Sequence, residues 1–180
     1  MSTLLGDAIP PIQAERIPVF WLQPHEPELF AAGRLPIYLW ELAPGAHVYG
    51  FPHVEWPGVK VARHHSGDVC DPDAVDRSIS AEDERRLRSA IAERLPRLNG
   101  PIVSSAVCLY ENSPDEHFLI DRLVEQPNVI YAAGFSGHGF KFSSVVGEIL
   151  ADLVTRGEAT PAADFLRSAR LAPGLQSDGH

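Results

Sequence analysis

The sequence predicts an α+β fold, an antiparallel sheet followed by a strand–turn–helix unit. Two observations carry this. Apolar, β-branched runs between residues 16 and 65 follow one another closely, and Pro-Gly pairs separate them as hairpin turns would. Much later, Asn128 to Gly157 (NVIYAAGFSGHGFKFSSVVGEILADLVTRG) reads as an apolar strand, a turn punctuated by Gly134, Gly137 and Gly139, and a helix. Val146, Ile149, Leu150 and Leu153 lie along one face of that helix, and Arg156 and Gly157 close it.

In chain order, residues 1–13 are a short, proline-ended leader. Arg16 to Leu22 is a strand and Pro24 to Gly33 a loop. Leu35 to Leu42 and Ala46 to Phe51 are strands joined around Pro44-Gly45. Pro57-Gly58 turns the chain into a further strand, Val59 to His65. Period-two geometry sends Lys60, Ala62 and His64 to one face and Val59, Val61 and Arg63 to the other. Lys60 then stands over a ligand or lies on a solvent face; the pattern allows both. Asp68 to Asp76 is an acidic loop. Together with His64 and His65 it follows no zinc or calcium ligand spacing, so no metal is expected.

Ser80 caps a helix spanning 80–96, with Asp83 at the capping-box position and Pro96 as its stop. Leu87, Ala90, Ile91 and Leu95 form its buried stripe, and Glu84 pairs with Arg88 outside. Ile102 to Tyr110 is a strand with Ile102, Ser104, Ala106, Cys108 and Tyr110 on one face. A lone cysteine there is ordinarily a small buried hydrophobe. Glu111 to His117 is a polar turn, Phe118 to Asp121 a short strand, and Arg122 to Pro127 a loop. After Gly157 come one short helical piece, Ala162 to Leu171, and a disordered tail, Ser177 to His180. The chain thus divides into 14–112, 113–158 and 159–180.

With 180 residues, 44% hydrophobic and 22% charged, the composition is that of a globular domain with a real core. A net charge of -9 argues against nucleic acid as a partner. Cys70 and Cys108 make no disulfide framework. No signal peptide opens the chain and no apolar stretch reaches spanning length, so a cytoplasmic protein without membrane association is expected.

A helix that starts at a glycine turn points unpaired N–H groups and a positive dipole end at whatever lies above it. Gly134, Gly137 and Gly139 let a flat or anionic group approach the backbone, and His138 and Lys141 stand beside it. The turn is either a tight connection without a ligand or a site for a group carrying negative charge.

CLYENSPDEHFLID followed by NVIYAAGFSGHGFKFSSVVGEILADL closely resembles the C-terminal half of the FAD-dependent amine oxidases of the monomeric sarcosine oxidase and N-methyltryptophan oxidase type. VYGFP and GVKVARHHSGDVCDPD resemble the segment before that half, and the resemblance runs from about Arg16 to about Leu171. It implies that Cys108 carries the flavin of FAD through a thioether. It also implies that Lys60 lies over the flavin and promotes its reaction with oxygen, with His64 at the same flavin face. Tyr49 and Tyr110 correspond to pocket aromatics, and Lys141 to a lysine that holds the substrate carboxylate. Gly134, Phe135, Ser136, Gly137, His138 and Gly139 correspond to the turn that lays backbone N–H groups against the flavin.

The implied reaction is oxidation of a small secondary (N-methyl) amino acid by O2 to an imine and H2O2. The strand at Asn128 is by the same resemblance the last strand–helix unit of an FAD-binding, Rossmann-like domain. No G-x-G-x-x-G turn opens the chain, so the N-terminal dinucleotide-binding part is expected to be absent and to act in cis or in trans. Two other readings compete. One is an inactive fragment or a non-catalytic module holding a small carboxylate through Lys141. The other is a stand-alone nucleotide-binding protein, which needs more parallel strands than the sequence supplies.

Overall fold

The computed structural model describes residues 5–43, 45–54, 57–65 and 67–171. The chain forms two compact units, Glu15–Leu109 and a second made of Met1–Ala14 with Tyr110–His180.

Among the described residues the first unit is built on a six-stranded sheet. Its strands are β1 (Gln13–Leu22), β2 (Tyr38–Ala43), β3 (Ala46–Phe51), β4 (Val59–His64), β5 (Asp68–Val69) and β6 (Ile102–Asn112). They run in the order β2-β3-β4-β1-β5, and β6 also pairs with β1. The β1–β4, β1–β5, β2–β3 and β3–β4 pairs are antiparallel. Helix α1 (Ala81–Ile91) packs on one face, where Leu87, Ile91, Leu95 and Leu98 meet Phe20, Leu22, Val48, Val59 and Val61 in one core. Burial of these side chains is worth roughly 2 kcal/mol each, and it fixes which face of each strand points inward.

The capping box forms as expected: the Asp83 amide donates to Ser80 Oγ and the Ser80 amide to Asp83 Oδ2. Glu84 and Arg88 pair at 2.7 Å. The helix ends at Ile91 instead of running to residue 96. Leu95 precedes a proline, whose ring disfavours helical backbone at that position, and has φ −130°, ψ 53°. Pro96–Leu98 continues as a 3₁₀ turn. Strand β2 begins at Tyr38, later than the expected Leu35, and β1 begins at Gln13, earlier than Arg16. Strand β4 stops at His64 because His65 is left-handed, with φ 49°. Of the expected Pro44-Gly45 turn, Pro44 lies outside the described residues and Gly45 is left-handed.

The second unit holds an antiparallel hairpin, β7 (Leu119–Arg122) and β8 (Ile130–Ala133), and helix α2 (Ser143–Thr155). The expected strand from Asn128 is shorter because Val129 belongs to the turn: its amide donates to Gln126 O and its carbonyl accepts from Leu123. Phe118, Ile120, Val146, Ile149 and Leu153 share one core with Ala163 and Leu166. Ile9, from the stretch read as a leader, is buried with Leu119, Leu123, Tyr131 and Ala133. The expected helical piece at 162–171 is two 3₁₀ turns, Pro161–Leu166 and Ser168–Leu171, the second held by Ser168 donating to Asp121. The tail read as disordered, Ser177 to His180, lies outside the described residues. Among the described residues no helix is long and apolar enough to cross a membrane.

Candidate functional site

Strand register assembles the first cluster. Lys60 pairs with Trp21 across β1–β4 and with Phe51 across β3–β4, so all three side chains share the face away from α1. The Lys60 Nζ lies 5.6 Å from the Trp21 ring, 5.2 Å from Phe51 and 6.0 Å from Tyr49, within cation–π range. Among the described residues no carboxylate pairs with this ammonium. Trp21, Phe51, Pro52, Val54, Gly58 and Lys60 line a hollow of about 220 Å³. Val19 and Ala62, on the same face, are fully buried, so this is no ordinary solvent face.

His64 follows two residues along β4, opposite His47, with its ring 6.4 Å from His47 and 6.1 Å from Tyr49. The sheet therefore brings Lys60, His64 and Tyr49 together. Trp21, Phe51 and His47 join them although sequence reading passed them over. Their signal was the same two-residue alternation, but it becomes readable only once the register across β1, β3 and β4 is known.

Cys108 is exposed, against the ordinary buried cysteine of a strand pattern and in keeping with the accessible thiol that the resemblance implies. The reason lies in β6. Val103 and Ser105 are exposed, then Ala106 and Cys108, so the alternation of exposure changes phase between Ser105 and Ala106. Two residues further along the same strand, Tyr110 is buried.

In the second unit the glycine turn is shaped by its own neighbours. Gly134 and Gly137 have φ of 66° and 75°. A Cβ on Gly137 would meet the Tyr110 ring at 2.3 Å, one on Gly134 the Ser113 side chain at 2.8 Å, and one on Gly139 the Phe135 ring at 2.6 Å. The amides are committed too. Phe135 donates to Glu111 Oε1 (3.4 Å), Ser136 to Glu111 O (3.0 Å) and His138 to Phe135 O (3.0 Å). Unpaired N–H groups aimed outward were expected here; at these positions the chain's own acceptors use them. Burial pushes the Glu111 carboxyl up, against the amides of Phe135 and Gly134 that hold it down.

The helix does not start at the glycines. A 3₁₀ turn, Phe140–Phe142, intervenes. Ser136, φ 48°, is fully buried, and its Oγ donates to Gly134 O. His138 Nδ1 lies 2.9 Å from Ser136 O, and since a carbonyl only accepts, Nδ1 is the donor. Lys141 is exposed at the rim of a mostly apolar pocket of about 450 Å³, whose walls include Phe118, Phe142, Val146 and Ile149.

Against known proteins, the model of the family described as FAD dependent oxidoreductase matches residues 1–153. The chain belongs to this family. Within it, the chain is 42% identical over 173 residues to a monomeric sarcosine oxidase of Streptomyces avermitilis, covering 94% of this chain and 45% of that protein. It is 36% identical to an N-methyl-L-tryptophan oxidase of Escherichia coli, covering 84% of this chain and 41% of the relative. The solved L-proline dehydrogenase of P. horikoshii superposes with a TM-score of 0.73 at 24% identity, over 95% of this chain and 43% of that one. The chain thus spans less than half the length of these relatives. FAD is the cofactor that the family's description names. The aromatic β1–β3–β4 face with its one lysine suits a flat ring system that gains negative charge on reduction. At the glycine turn the amides of Phe135, Ser136 and His138 have acceptors within the chain.

Proposed function

We propose that this family member carries the cofactor-tethering and oxygen-reacting part of an FAD-dependent oxidase. Its substrate is a small secondary (N-methyl) amino acid, and its products are an imine, which water hydrolyses, and H2O2. The reaction is assigned to the chain working with protein equivalent to the rest of its relatives' length, in cis or in trans, in a cytoplasmic setting. The observation that carries the reading is the lone ammonium of Lys60 among the rings of Trp21, Tyr49 and Phe51. The relatives' names, sarcosine oxidase and N-methyl-L-tryptophan oxidase, support the substrate class.

When bound, FAD supplies the two-electron acceptor for the substrate C–H bond and the electrons for oxygen. Lys60 supplies a fixed positive charge on a half-buried aromatic face, and such a charge lowers the energy of negative charge building on oxygen. Cys108, exposed on β6, offers its thiol for a thioether tether. His64 places an imidazole beside Tyr49 on the Lys60 face, within reach of a proton released there. Lys141 pairs with the substrate carboxylate, while Tyr110 and the Gly134–Gly139 turn border the cofactor.

The test is peroxide release with N-methyl amino acids. Lys60→Met lowers O2-dependent turnover about 10²-fold and leaves anaerobic reduction of the cofactor by substrate unchanged. Equal loss in both half-reactions overturns the role given to Lys60. Absence of peroxide with every N-methyl amino acid overturns the oxidase reading.

One observation favours a second reading, a non-catalytic module that holds a small carboxylate. The glycine-turn amides of Phe135, Ser136 and His138 already have acceptors within the chain. That reading predicts no bound flavin.

A further inference from the structure

His65 breaks the rule that consecutive residues of a strand point to opposite faces. Its left-handed backbone, φ 49°, ends β4 and swings its imidazole to 4.2 Å from the ring of His64, centroid to centroid. Residues other than glycine adopt this conformation uncommonly. The Glu15 carboxylate stands against the ring that this backbone places. This carboxylate is 7% exposed, and Oε2 lies 3.2 Å from His65 Nδ1 while Oε1 accepts from the Gly67 amide at 2.9 Å. Glu15 is itself placed by the sheet, opposite Val69 in the β1–β5 pair. A buried carboxylate, the His65 imidazole on its left-handed backbone and the His64 imidazole therefore form a series that ends on the Lys60–Tyr49 face.

We propose that Glu15 and His65 are positioning residues that clamp the His64 ring in one orientation on that face. The functional weight of the clamp rests on the oxidase reading of His64; the clamp itself does not.

Nuclear Overhauser contacts among histidine and tyrosine ring protons of the full chain test it. The unmodified protein gives one set of His64 ring signals with contacts to both His65 and Tyr49. In Glu15→Ala the His65 contacts vanish and the His64 signals average or split, while contacts between β3 and β4 at Tyr49 and Ala62 persist. His65→Gly is the second variant. Glycine accepts the left-handed backbone without strain, so the β4–β5 connection survives and only the ring is lost; His64 again loses its single orientation. If Glu15→Ala fails to fold, His65→Gly decides alone. A His64 ring that stays fixed in either folded variant overturns the proposal. In a flavin-loaded preparation, kcat falls about tenfold with KM little changed. Loss of ring order with unchanged kcat upholds the clamp and overturns the oxidase role of His64.

Discussion

Gly137 is constrained twice over. Its φ of 75° is one that side-chain-bearing residues rarely adopt, and the space a Cβ would need is filled by the Tyr110 ring at 2.3 Å. Backbone strain and overpacking together make Gly137→Ala cost about 3 kcal/mol. Urea unfolding checks this, and a loss under about 0.5 kcal/mol contradicts it. The Arg170 guanidinium grips Asp115 with two bonds, of 2.7 and 3.0 Å, and holds its carboxyl down at about 2. The ordinary value is 3.8, so the pair's contribution is complete above about pH 4 and fades as pH falls towards 2. Because both groups retain some solvent access, Arg170→Ala costs only about 1 kcal/mol at pH 7. That cost shrinks towards zero at pH 2; a penalty equal at both pH values contradicts the assignment. Single residues also marked where sequence reading stopped short. Cys108 proved exposed because the alternation of β6 changes phase before it, a shift no spacing in IVSSAVCLY announces.

Helices and strands were legible where local chemistry decides them. Ser80 and Asp83 announced the start of α1, and β3 runs from Ala46 to Phe51 as its pattern predicts. Boundaries failed where a neighbour overrides propensity. The residue before Pro96 leaves helical space, His65 turns left-handed beside Glu15, and Val129 is drawn into the β7–β8 turn. Helix α2 offers a test of local propensity alone. Gly147 lies in its middle with nothing within 4 Å of a would-be Cβ. Gly147→Ala therefore stabilises by about 0.5–1 kcal/mol. A neutral or destabilising result in thermal unfolding contradicts the open space seen there.

Taken as a molecule, the chain revealed its family through two motif stretches, around Cys108 and Gly134, and its α+β class through its turn residues. The aromatic surround of Lys60 was hidden. Trp21 and Phe51 lie 39 and 9 positions from it in the sequence, and only antiparallel register brings them together. At the glycine turn the Cβ space of Gly137, Gly134 and Gly139 is filled by Tyr110, Ser113 and Phe135 of the chain itself, which composition cannot distinguish from space kept for a ligand. We propose above all that Cys108 tethers the cofactor of an oxidase. The most direct test produces the chain in one cell with a polypeptide equivalent to the rest of its sarcosine oxidase relative, then precipitates the purified protein in acid. The unmodified chain should give a yellow pellet whose flavin stays with the polypeptide in denaturing gels, and Cys108→Ser a colourless one. A colourless pellet from unmodified protein that was yellow before acid, or a yellow pellet from Cys108→Ser, contradicts it.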